Sequence, residues 1–175
     1  MNDDEYKKEY GYKKITWETF LSPAEPLQWL ALSGAISPRN AAPLQQWVEV
    51  IQTPVMNPQV PKEVRDIFEV AKGCITYGVL FYPLFSIGTA QLFRMCETAV
   101  KLRAEAAGGH SDLHFKDAVD LLIKHGVIEE QKRQRWDALR SLRNSTSHPK
   151  MQMILPPANA IHFLETIADD INAMY

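Results

Sequence analysis

From residue 61 onward, apolar residues recur three and four positions apart, and the recurrence restarts after each proline or glycine break. Val64, Ile67, Phe68 and Ala71 predict a helix from Pro61 to about Lys72, with Pro61 suited to its first turn. Gly73 and Gly78 loosen the passage to the next one. Leu92, Met95, Cys96, Ala99 and Leu102 mark a longer helix from Pro83 to about Ala107, which Gly108-Gly109 ends. Ala118, Leu121 and Leu122 give a third, from about Leu113 to Lys124, capped by Ser111 or Asp112 and closed by Gly126. Glu129, Glu130 and Gln131 favour the start of a fourth, running through Trp136 to about Asn144 or Ser145. Pro157 opens a last helix with Ile161, Leu164, Ala168 and Ile171 on one face and Ile167 beside them. No segment alternates with period two, and there are no internal repeats. The pattern predicts an all-α fold, an up-and-down bundle of about five helices over residues 61–175.

Residues 1–60 read differently. Met1 to Lys14 is a polar, mobile leader. From Trp17 to Pro61 the prolines at 23, 26, 38, 43, 54, 58 and 61 limit any helix to a few turns. Leu27–Leu32 and Leu44–Ile51 are candidates for such short pieces. Trp17, Phe20, Trp29 and Trp47 are too apolar to stand exposed singly, and predict that this irregular arm packs on the body or on a second subunit.

Composition narrows the setting. The 175 residues are 46% apolar and 23% charged, ordinary for a globular domain, and the net charge of −2 rules out a chain that binds polyanions by overall charge. Any nucleic-acid contact has to use a local basic patch. The most apolar stretch, Cys74 to Phe85, is broken by Gly78 and Pro83 and is far short of the roughly 20 residues of a membrane span. Cys74 and Cys96 lie in apolar helical context without metal-ligand spacing, as reduced core thiols do. These features fit a cytoplasmic protein with no membrane contact.

Candidate chemistry gathers where the fourth helix stops. After Leu142 come Arg143, Asn144, three hydroxyl residues, His148 and Pro149. Hydroxyl side chains compete for backbone hydrogen bonds, and Pro149 disfavours the α conformation at His148, so the chain breaks there. Arg143 and His148 suit metal-free cleavage of an RNA phosphodiester. A histidine titrating near neutrality moves the proton of a 2′-hydroxyl or of the leaving oxygen, and a guanidinium faces the charge growing on phosphate. Asn144 can orient the histidine or donate to phosphate. On spacing alone, an arginine and a histidine finishing a helix and capping its carbonyls is the commoner arrangement.

The run Trp136-x-x-Leu139-Arg140-x-Leu142-Arg143-Asn144-Ser145-Thr146-Ser147-His148 resembles the signature of the HEPN superfamily. These are small helical-bundle domains carrying Arg, a polar residue that is often Asn, and then His. Four residues separate Arg143 from His148, and Asn144 holds the polar position. Upstream, Leu121-Leu122-Ile123-Lys124-x-Gly126-x-Ile128 is similar to bacterial HEPN-like domains of defence and toxin–antitoxin systems. The resemblance spans about residues 61–173, is most specific from 113 to 149, and leaves 1–60 without a counterpart. It implies a metal-independent endoribonuclease needing no cofactor, with two motifs meeting across a homodimer. His148 is then the acid/base, Arg143 the phosphate ligand and Asn144 an orienting residue. An antitoxin or regulatory protein is an expected partner beside RNA. Many members of the superfamily are instead non-catalytic modules that bind a nucleotide, nucleic acid or protein, and that alternative stays open.

Other charged positions are weaker candidates. Lys132, Arg133, Arg135, Arg140, Arg143 and Lys150 form a basic run that a solvated helix face explains about as well as an RNA track does. Of these, Arg135, Arg140 and Lys150 are the RNA-binding candidates beside the motif. Arg94 and Glu97, outside the apolar stripe of the second helix, are candidate accessory groups, although an exposed or structural carboxylate is the commoner role for Glu97. His110 and His114 lack the acidic ligands that complete a zinc site, His125 reads as a helix C-cap residue and His162 as half-buried structure.

Overall fold

The computed structural model describes residues 2–24, 42–146 and 155–175. His148, Lys150, Trp29 and the candidate helix Leu27–Leu32 lie outside these residues.

The described residues are all-α. Five helices follow one another with short connections: α3 (Lys62–Tyr77), α4 (Pro83–Ala106), α5 (Phe115–Lys124), α6 (Arg133–Thr146) and α7 (Pro157–Asn172). They are preceded by α1 (Asp3–Tyr10) and α2 (Ala42–Gln52). α4 is the axis, touching α3, α5, α6 and α7. Its burial therefore extends beyond the single stripe that the spacing marks. Leu92, Met95, Cys96 and Ala99 are buried as the spacing predicts, Leu102 is only partly buried, and Phe85, Thr89, Phe93 and Val100 are buried on other faces. Gly88 belongs to that close packing, because a Cβ there would meet Ile75 Cγ1 at 2.7 Å and the carbonyl of Ala71 at 3.0 Å.

Boundaries moved where local chemistry outweighed the pattern. α3 continues past Lys72 through Gly73 because Ile75 extends the stripe of Val64, Phe68 and Ala71 into the core. α5 starts at Phe115, and the expected caps Ser111 and Asp112 lie in the preceding turn. His114 takes the cap position with no side-chain hydrogen bond to the helix. Gly126 closes α5 as expected: its φ of 70° is the left-handed region, and its N–H donates to Ile123 O at 2.9 Å. Glu130–Lys132 form a single 3₁₀ turn leading into α6. The hydroxyls at the other end of α6 prolong it: Ser145 donates to Leu142 O at 2.8 Å and Thr146 to Arg143 O at 2.9 Å.

The N-terminal arm is more regular than expected. α1 carries a capping box, with Asn2 Oδ1 accepting from Glu5 N–H and Glu5 Oε2 from Asn2 N–H, both at 2.9 Å. α2 forms over the expected Leu44–Ile51 and joins the bundle. Ile51 is in the core, and Trp47 Nε1 donates to Thr76 O at 3.0 Å while its ring meets Phe85 edge-on. The buried Lys72 donates to Gln52 O and Pro54 O at 3.4 and 3.2 Å, capping the end of α2. Trp17, by contrast, is 82% exposed and stacked on Phe20, so it does not bury itself on the described body. No helix among the described residues is long and apolar enough to cross a membrane.

Candidate functional site

Trp136 and Leu139 bury one face of α6 against the bundle. Arg143 stands seven and four residues further on, so it leaves the helix on that same side, at the rim facing α4. There its Nε lies 2.6 Å from Glu97 Oε2, while the other carboxylate oxygen, Oε1, lies 3.0 Å from Lys101 Nζ. The Glu97 side chain is 18% exposed. Burial alone would raise its pKa. The hydrogen bond and charge of Lys101 and those of Arg143 overcome this and hold the carboxyl below the usual range. Glu97 is therefore ionised near neutral pH and cannot serve there as a proton donor. It fixes the direction of Arg143.

The pair borders an open cleft of about 480 Å³ whose described lining comes mainly from α4, with Arg143 and Thr146 from α6. Its floor is the one stripe of α4 that the four neighbouring helices leave wet, including Gln91, Arg94, Thr98 and Lys101. The cations Arg94, Lys101 and Arg143 outnumber the carboxylates Glu97 and Glu105 in this lining, so the cleft favours an anion. α6 ends at its edge, and the chain runs on from Thr146 towards His148, outside the described residues.

Of the residues singled out in the sequence, Arg143, Glu97 and Arg94 come together here. Asn144 is exposed and is not among the described lining. Arg135 is taken up elsewhere: Nε lies 2.7 Å from Asp170 Oδ2, and an Nη donates to Thr166 O at 3.0 Å, both on α7. Arg140 Nε is 3.7 Å from Asp137 Oδ1, too far for a hydrogen bond. His162 is exposed, not half-buried, because it lies opposite the face of α7 that carries Leu164, Ile167 and Ile171. Cys96 is buried but Cys74 only partly so, and both are free thiols. Among the described residues no group of three or more His, Cys, Asp or Glu side chains is arranged to hold a metal ion.

Sequence reasoning missed Lys101, Gln91 and Thr98, which look like ordinary polar positions on exposed helix, and gave Thr146 of the motif run no role. The signal available was the spacing Gln91, Arg94, Glu97/Thr98, Lys101, a polar i, i+3, i+7, i+10 stripe through the most apolar part of the helix. It missed Asp170 as well. Comparison with models of protein families, with curated proteins and with solved structures finds no match to this chain.

Proposed function

We propose that this chain is an endoribonuclease of the HEPN type, acting without metal or cofactor as a homodimer. The observation that carries the reading is the seat of Arg143: a guanidinium at the last turn of α6, aimed by Glu97 at 2.6 Å into a cationic cleft. On this reading a phosphodiester lies across the cleft with its non-bridging oxygens towards Arg143. The 2′-oxygen attacks phosphorus and the bond to the 5′-oxygen breaks. The 2′-hydroxyl loses its proton and the departing 5′-oxygen gains one, leaving a cyclic phosphate and a free hydroxyl. His148 performs one of these proton transfers. A single motif supplies one histidine, so its twin across a two-fold axis is the natural source of the other. As in other toxin and defence nucleases, an antitoxin or regulatory protein would restrain it.

The test is cleavage of mixed RNA in EDTA by the purified chain, with Arg143→Ala and His148→Ala alongside. Wild-type cleavage lost in both variants, each still helical by circular dichroism, supports the reading. RNA left intact by the wild type, or cut equally by both variants, refutes it. The close Glu97–Arg143 pair favours one second reading, a non-catalytic module in which a bound nucleotide or nucleic-acid phosphate shares Arg143 with Glu97. Saturable binding with no turnover is its outcome.

A further inference from the structure

We infer that Arg94, with Gln91, forms a second phosphate subsite in the cleft, so that the substrate is an RNA strand held by two neighbouring phosphates and not a lone nucleotide. The inference deepens the nuclease reading and rests on it for the identity of the ligand.

It begins from the distribution of charge along the wet stripe of α4. Glu97 is the natural partner for Arg94, three residues away on one helix face. Both of its oxygens are already occupied, Oε1 by Lys101 and Oε2 by Arg143. Arg94 is exposed, in the cleft, and no carboxylate among the described residues is paired to it. Its neighbour one turn back, Gln91, also lines the cleft, and its amide offers donors that suit a phosphate oxygen. Arg94 and Gln91 therefore line the same cleft from α4, with Arg94 one helical turn, about 5 Å of helix rise, before Glu97, the residue that Arg143 meets. That step is on the scale of one nucleotide, whose rise is about 3.4 Å when stacked and more when extended. A strand crossing Arg143 thus lays its next phosphate at Arg94.

The test uses the full-length chain and a fluorescent single-stranded 2′-O-methyl oligoribonucleotide, which lacks the attacking hydroxyl. Affinity is measured by anisotropy across a salt series. Each phosphate contact with a single strand contributes about 0.7 to the slope of log K against log salt. Arg94→Ala is expected to make the slope shallower by about that amount, with Gln91→Ala weakening binding at unchanged slope and Arg94→Lys restoring the slope. An unchanged slope and affinity in Arg94→Ala overturns the subsite, as does a wild type that binds no strand. The two proposals separate cleanly. If ordinary RNA is bound with an Arg94-dependent slope but never cut, the nuclease reading fails and the subsite stands. If RNA is cut but the slope ignores Arg94, the reverse holds.

Discussion

At the start of α6, Lys132 and Arg135 reach the carboxylate of Asp170 on α7, at 3.2 and 2.7 Å, and Arg133 pairs with Asp120 on α5 and with Glu130. At its end, Arg143 meets Glu97 on the rim of an open cleft that also holds Arg94, which pairs with no carboxylate among the described residues. The same residue types serve two purposes along one helix. Asp170 is buried, 5% exposed, and the cations that reach it tie α6 to α7. Arg143 pairs with Glu97 of α4 and also lines the open cleft. A run of basic residues therefore says little about where a ligand binds until each cation's carboxylate is located.

Variants can break this contrast. The largest effect expected is on activity: Arg143→Ala lowers RNA cleavage at least about a hundredfold, as loss of a charge-stabilising donor does, while its melting midpoint stays within about 2 °C of wild type. Next, Asp170→Ala inverts the pattern. Chemical unfolding should show a loss of about 1–3 kcal/mol, because a buried carboxylate with charged partners is removed, and cleavage per folded molecule should not change. Third, Glu97→Ala leaves Arg143 in the cleft but undirected, and cleavage is expected to fall by about tenfold or somewhat more, measured with substrate in excess. The smallest effect belongs to Arg133→Ala, whose partners are solvent-exposed. Its midpoint should move by no more than a few degrees and its activity not at all.

Acid sharpens the same comparison. The folded-state pKa of Glu97 is depressed, with Lys101 and Arg143 prevailing over burial. Its contribution to stability is therefore fully present above the unfolded carboxylate value of about 4.3 and is lost as pH falls through the lower folded value. Unfolding curves of wild type and Glu97→Gln should differ by a constant amount from about pH 5 upward and converge only as pH falls below the ordinary carboxylate range.

The helices of the bundle were legible because Pro61, Pro83 and Pro157 mark their starts, Gly126 marks the end of α5, and apolar spacing marks their inward faces. What was hidden depends on neighbours far along the chain. The length of α3 beyond Gly73 follows from Ile75 meeting Gly88 on α4, which no local pattern reveals. α1 was legible in principle, since Asn2 and Glu5 spell a capping box, but its charge drew it into a mobile leader. Arg143 stood out through its place before the break that Pro149 predicts. Glu97 was legible as a candidate accessory group outside the apolar stripe, but its pairing was not, because its partners lie one turn ahead and on another helix. Asp170 sits beside the exposed Asp169 in a polar pair, yet it is three residues past Ile167 and so shares the buried face of α7. The basic run stayed open between a solvated face and an RNA track for the same reason: sequence counts charges and cannot show which are neutralised.

The most direct measurement sets Arg143→Ala against Arg135→Ala in one cleavage assay in EDTA, each rate divided by the folded fraction of the sample. On the nuclease reading, Arg143→Ala loses at least about a hundredfold in rate while folded, and Arg135→Ala, though less stable, cuts RNA at the wild-type rate per folded molecule. Equal losses in the two variants, or a fully active Arg143→Ala, would contradict it.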